Sequence, residues 1–347
     1  MTRSLETLLI AKLQSALAKG RLYAPESESE RRGLRRRMAK GTVASPYKGL
    51  YTVKDQWERI QKREQYRIII DTIAELYPTW TFCSYSAAVL YGLEVPYSEM
   101  KCIHIAAACS RQSHSLVYHH NKIEKISIVH GIRCDSIEQT ICDCIRCSEF
   151  HYALAIADSA LRILKLDTTE MVERISSKCK GMHGMAYVRD VFSYADPKAE
   201  NGGESYARAV MIENGVMIPE LQVEYYDPLT KTTYRDDFEW KLANGTIAGE
   251  LDGMKKYTRI ATQRGKSITQ VLLEERQRES RLRNQGLTFA RFTFDQVRNV
   301  APFLEILDSC GVPRIGTNTR APKLKSRSKG IKMRKRAPAK TKKPPGV

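Results

Sequence analysis

No apolar run in this 347-residue chain approaches the ~20 residues that a membrane-spanning helix needs, which excludes such a helix. A secretory signal is missing too. Leu5, Leu8, Leu9, Leu13 and Leu17 form one helical stripe, but Glu6 breaks the acid-poor pattern of a transit peptide and no small-residue cleavage site follows, so a core-facing first helix is expected. The nine cysteines are odd in number and unevenly spaced, so they read as reduced thiols of a cytoplasmic protein rather than a disulfide framework. Acid is absent from one stretch: Arg314 to Lys343 holds thirteen Lys and Arg and no Asp or Glu. The rest of the chain carries 44 basic against 39 acidic residues, so most of the net charge of +18 belongs to that tail.

Residues 311–347, with Lys332, Arg334, Lys335 and Arg336 at their densest point, have almost nothing apolar to bury. They read as a disordered arm that binds a polyanion through counterion release, with a solubilising tail as the plainer alternative. No acylation site or amphipathic pattern points to a membrane, which leaves DNA as the expected partner.

A second basic element lies near the N-terminus. Arg31, Arg32, Arg35, Arg36 and Arg37 fall within seven residues, followed by Lys40. Glu26, Glu28 and Glu30 precede them, an order that suits a helix macrodipole. VASPYKGLYTV then reads as a hairpin with Lys48 in its turn. Helix, basic helix and hairpin over residues 1–56 is the order of a winged helix-turn-helix, with the solvated face of an ordinary helix as the alternative.

Residues 57–195 read as a helical and β middle domain: a helix from Trp57 to Tyr77, a short one from Ser84 or Ser86, and strands within Lys101–Val129. A helical region follows from Ser136 to Leu164, then a helix from Thr169 to Cys179. Cys142, Cys144 and Cys147, with Cys134 or His151, are conceivable zinc ligands. Their C-x-C-x-x-C spacing on a helix spreads the sulfurs around the cylinder, so buried small hydrophobes are the favoured reading and zinc is not. His114, His119 and His120 lack a carboxylate at ligand spacing.

Residues 196–310 carry the chemistry. After the DPKAENGG linker come a helix from Glu204 to Glu213 and the strands ELQVEYY, TTYRDDFEWKL and TIAGELD. A helix (ITQVLLEERQRESRLRNQG), the strand LTFARFTF and a last helix capped by Asp295 follow. Asn244-Gly245 is a strong hairpin signal. With those two residues as the loop, Phe238, Trp240 and Leu242 face Leu251, Gly249 and Ile247 on an apolar side. On the other side Asp237 opposes Asp252, and Glu239 opposes Glu250. Like charges paired across a hairpin are destabilising. A hard cation such as Mg2+, which uses carboxylates with water and phosphate, would remove the repulsion and could activate water against a phosphodiester. The plainer alternative is a solvated sheet face relieved by Arg235 and Lys241.

Several segments resemble known families. SYSAAVLYGL, HGIRCDSIEQTICDC and ALAIADSALR resemble the abortive-infection (AbiEi-like) type IV antitoxins. GESYARAV, PELQVEYY, RDDFEW, GELDG, LLEERQRESRL and RFTFDQV resemble the very-short-patch-repair-like members of the PD-(D/E)XK restriction-endonuclease superfamily. The likeness spans residues 25 to 300. It implies a multidomain α/β architecture with an endonuclease-like mixed sheet flanked by helices. It further implies metal carboxylates at Asp237 and Glu250 and an accessory acid at Glu204; the hairpin pairing above adds Asp252 to the expected metal set. Asp252 stands where the superfamily's E-x-K lysine would be, and Lys255, Lys256 or Lys266 would have to replace it. Two functions follow from the resemblance: a DNA-binding regulator of the antitoxin type with a cognate toxin, or a Mg2+-dependent DNA endonuclease.

Overall fold

The computed structural model of the chain describes residues 3–113, 115–120, 126–227, 231–253, 265–283, 286–316 and 321–322. Helices and mixed sheets alternate in a multidomain α/β fold.

The N-terminal unit holds α1 (Arg3–Ala18), α2 (Glu28–Ala39) and the hairpin β1 (Val43–Tyr47) to β2 (Leu50–Val53). Leu13, Leu34, Val43 and Tyr51 form its core. Leu9 is buried beside Leu13, whereas Leu8 of the leucine stripe is 52 % exposed. Ser27 caps α2 by accepting from the Glu30 N–H. Glu30 itself turns inward. Burial alone would raise its carboxyl, but hydrogen bonds from Lys12 (2.8 Å) and Tyr23 (2.7 Å) hold it at about 2. That pair fixes α2 on α1. Tyr23 also bridges to Tyr51 of the hairpin, so one residue ties all three pieces.

The middle region departs from the sequence reading at its helix ends. The helix expected over Trp57–Tyr77 is two, α3 (Lys54–Arg59) and α4 (Lys62–Leu76), because the chain runs extended at Ile60 (ψ 139°). Gln65 Nε2 closes the gap by donating to Trp57 O at 2.6 Å. Then follow α5 (Ser84–Leu90), β3 (Ile103–Ala107), β4 (Arg111–Gln112), β5 (Leu116–His120), and the pair β6 (Ser127–Val129) and β7 (Ile132–Cys134). β5 pairs parallel with β3 and antiparallel with β4.

The helical region expected from Ser136 to Leu164 is likewise broken, into α6 (Ile137–Ile145) and α7 (Phe150–Leu164). Ser148 Oγ donates to Cys144 O at 2.8 Å in the break, a second donor on a carbonyl that also accepts from the Cys147 N–H. α8 (Thr168–Lys178) starts from an Asp167–Glu170 capping box. α9 (Met185–Phe192) is an element the periodicity did not show. All but the exposed β4 contribute to one large core.

The C-terminal domain begins with α10 (Gly202–Glu213), which lies against α7 across the expected domain boundary. β8 (Glu220–Asp227), β9 (Thr232–Leu242), β10 (Gly245–Asp252), α11 (Ile268–Arg283) and β11 (Leu287–Thr293) follow. The sheet order is β11-β10-β9-β8, with β10 and β11 parallel and the other pairs antiparallel. The last helix is also two: α12 (Phe294–Arg298) and α13 (Ala301–Ser309). Its cap is Thr293, boxed with Gln296, not Asp295. One sheet face buries Phe238, Trp240 and Phe292 against α10 and α13 through Met211, Phe303 and Leu307. Ala248 and Phe289 occupy the other.

Candidate functional site

The acid hairpin forms with its sides as the alternation dictates, but with a different register. Gly245 pairs with Leu242, Ile247 with Trp240 and Gly249 with Phe238. The loop is therefore Ala243-Asn244, and every expected partner moves by two residues. A two-residue slip preserves which side each residue faces. In this register Gly249 lies directly opposite Phe238, two residues along β9 from Trp240. A Cβ there would sit 2.9 Å from Trp240 Cζ3 and 3.0 Å from Phe238 Cβ, so the Trp240 ring and the Phe238 stem close on a position that only glycine fills. On the acidic side Glu239 now lies opposite Ala248, not Glu250, and the expected direct clash of those two glutamates is relieved. Glu239 accepts from the Tyr225 hydroxyl and pairs with Lys241 at 3.1 Å.

Continuing that register past Gly249–Phe238 sets Asp237 opposite Glu250 rather than Asp252. Asp237 Oδ2 accepts from the Leu251 N–H at 2.9 Å, so this carboxylate supplies an acceptor to the facing strand. Glu204 joins it from α10. The Asn201 carboxamide caps the helix by accepting from Gly203 and Glu204 N–H. Glu204 then accepts from the Glu200 N–H (2.7 Å), from the Asn201 side chain, and from Gln222 Nε2 (3.0 Å). Gln222 reaches in from a left-handed backbone (φ +56°), where its pairing with β9 is interrupted. Burial, then the like charge of Asp237, pushes the Glu204 carboxyl up to about 7.

The other half of the cluster already has a cation. Arg291, directly beside Glu250 on β11, holds Asp252 through two hydrogen bonds (2.6 and 2.9 Å), Glu250 at 3.0 Å and Glu279 of α11 at 3.2 Å. Two of the three expected metal carboxylates are thus bonded to a guanidinium. Arg235 pairs with Glu200, away from this patch, whereas Lys241 pairs with Glu220 and Glu239 and so relieves the Glu239 end of the acidic side. Lys266 pairs with Glu274 at 2.5 Å, and Lys255 and Lys256 lie outside the described residues. Among the described residues no group of three or more His, Cys, Asp or Glu is arranged to hold a metal. In this arrangement the donor set does not fit Mg2+; the positive charge beside these carboxylates is Arg291.

Glu204 gives a pH prediction with a definite sign. Its folded value, about 7, lies above the ordinary 4.5, so folding takes up a proton between those values. Its contribution to stability is fully present below pH 4.5 and is lost as pH rises through about 7. The swing is of the order of 3 kcal/mol. Urea unfolding across that interval should show the gap between wild type and Glu204→Gln closing or reversing as pH rises. Parallel pH curves for the two proteins would remove Glu204 as the titrating group.

No family model matches the chain, and no solved structure matches it. It is 27 % identical over 218 residues to an uncharacterized protein of Mycobacterium tuberculosis strain CDC 1551. An uncharacterized protein of strain H37Rv matches at the same identity. Each alignment covers 62 % of this chain and 75 % of the relative.

The basic residues divide into two groups. Arg31, Arg32, Arg35 and Arg36 are exposed on the side of α2 away from buried Leu34, with Lys40 at its end and Lys48 at the hairpin tip. Arg37 is the exception: it is buried, 9 % exposed, and so leaves the expected outward set. Lys332, Arg334, Lys335 and Arg336 lie outside the described residues. Cys134, Cys142 and Cys144 are core residues, whereas Cys147 is exposed. His119 Nε2 lies 2.9 Å from Nδ1 of His104, whose ring burial and its neighbour push down to about 3. His120 is exposed, and His114 lies outside the described residues.

Sequence reasoning missed Arg291 and Glu279. One signal was available: Arg291 is the single charged residue in LTFARFT, a strand that follows the acidic one by a crossover.

Proposed function

We propose that this protein is a DNA-binding regulator of the antitoxin type. Its endonuclease-like C-terminal domain serves as a binding module for nucleic acid or for a cognate toxin. The observation that supports this reading most is the outward arginine row of α2, on a helix anchored by Leu34 and Glu30 and followed by a hairpin tipped with Lys48. Such a row meets phosphates at fixed spacing, and the basic tail adds charge without sequence preference.

Each phosphate contact contributes about 0.9 to the slope of log affinity against log salt on duplex DNA. Replacing Arg31, Arg32, Arg35 and Arg36 by alanine should lower that slope by about 3 to 4 and abolish protection of the protein's own promoter. A variant that keeps the wild-type slope and footprint would overturn the reading. The same preparation tests the enzymatic alternative. Mg2+-dependent nicking of plasmid that disappears in Asp237→Ala plus Glu250→Ala would replace a binding role with a hydrolytic one. That chemistry requires Arg291 to release Glu250 and Asp252.

A further inference from the structure

Two cavities adjoin at Tyr97. One, of about 430 Å3, lies between the N-terminal hairpin and α4 and is lined by Tyr47, Lys62 and Lys101. The other, of about 590 Å3, lies where α7 and the segment 94–98 meet the start of α10 and α12. Tyr152, Tyr206, Phe294, Arg63 and Arg298 line it. Tyr97 lines both, and it is 63 % exposed. Phe294, 38 % exposed, stands edge-on to Tyr206 with ring centres 5.3 Å apart.

Rings and cations line both cavities. Lys62 and Lys101 lie on one side of Tyr97, and Arg63 and Arg298 on the other. Among the described residues the only carboxylate lining either cavity is Glu94, and it is already paired with Arg63 at 3.5 Å. The ligand that matches aromatic faces beside positive charges is a nucleic-acid strand with unstacked bases. Every base offers a π-face and every nucleotide a phosphate. A duplex offers neither cavity a ring, since its base faces are spent on one another. The second cavity reaches Asn201–Gly203, one residue from Glu204. Gly203 itself packs on Leu251 of the apolar face (3.0 Å from an added Cβ), and the link to the acid cluster is the next residue, Glu204, held by Asn201 and Gln222 beside Asp237.

We propose that single-stranded DNA lies across Tyr97, its bases stacked on Tyr97 and Phe294 and its phosphates on Lys62, Lys101 and Arg298, and leads to the acid cluster. This rests on the DNA-binding reading above and specifies the form of nucleic acid that the middle and C-terminal domains take. Duplex contacts remain with α2.

The test uses the full-length chain and a single strand of about twelve nucleotides carrying one 2-aminopurine, within the usual site size. Wild type should quench the 2-aminopurine. Tyr97→Ala and Phe294→Ala should each weaken strand binding about tenfold and relieve the quench. Tyr97→Phe keeps the ring and should behave as wild type, and duplex affinity should be unchanged in every variant. A Tyr97→Ala protein with wild-type strand affinity and quench overturns the proposal. So does a wild type that binds the strand without quenching, through its tail alone, while duplex binding survives. If wild type binds neither form of DNA, the broader reading fails with it.

Discussion

Arg291→Met should cost the C-terminal domain about 3–5 kcal/mol, the range for removing one partner of a buried ionic group. The guanidinium is 21 % exposed, and it faces Glu250, Asp252 and Glu279, with exposures of 6, 29 and 18 %. Three carboxylates then confront one another with little water to screen them. Urea unfolding read through Trp240, 1 % exposed in this domain's core, reports the loss directly. Mn2+ or Mg2+ should restore part of it in the variant, because an ion bound only by the folded state stabilises by about 2.7 kcal/mol at a hundredfold excess over its Kd. Wild type should show little response, since its cation is covalently part of the chain. Equal stability of Arg291→Met and wild type, with or without metal, would show that the guanidinium does not compensate this charge. Strong stabilisation of wild type by the ion would show that Arg291 moves aside for it, which favours the hydrolytic alternative.

This cluster also marks where the sequence could be read and where it could not. Period-two alternation placed Phe238 and Trp240 on one side of the hairpin and Asp237, Glu239 and Glu250 on the other, and no register error of two residues disturbs that. The register itself depended on which two residues turn. Asn244-Gly245 is the better local signal, but the turn at Ala243-Asn244 sets Gly249 opposite Phe238 and takes Glu239 off Glu250, removing a like-charge pair. Arg291 was hidden for another reason. It reaches Glu250 from a strand 41 positions later through a parallel pairing, which no local pattern encodes. Glu204 was placed only by resemblance, yet its elevated carboxyl follows from burial on α10 beside Asp237. In the middle region apolar periodicity runs straight through Ile60 and through residues 146–149. The breaks there are held by Gln65 and Ser148 side chains, which periodicity does not register.

The contact between α7 and α10 determines where Glu204 and Gly203 stand, and one ion pair dominates it. Arg208 Nη2 makes two hydrogen bonds of 2.7 Å to Asp158, and Nη1 donates to Tyr194 O at 2.7 Å. The Asp196 N–H donates to the same carboxylate at 2.8 Å. Asp158 is fully buried and Arg208 is 4 % exposed. Burial pushes the Asp158 acid above its ordinary range even with Arg208 beside it, so desolvation outweighs the attraction. Arg208→Met should therefore cost about 3–5 kcal/mol, by stranding the carboxylate, while Asp158→Leu plus Arg208→Met should recover most of that loss. The double-mutant cycle by urea unfolding measures the coupling. Additive losses would mean that the pair fills space without interacting. A recovered double variant that has lost the Glu204 pH dependence would show something more specific: that the ion pair fixes the angle at which α10 presents its acid to Asp237.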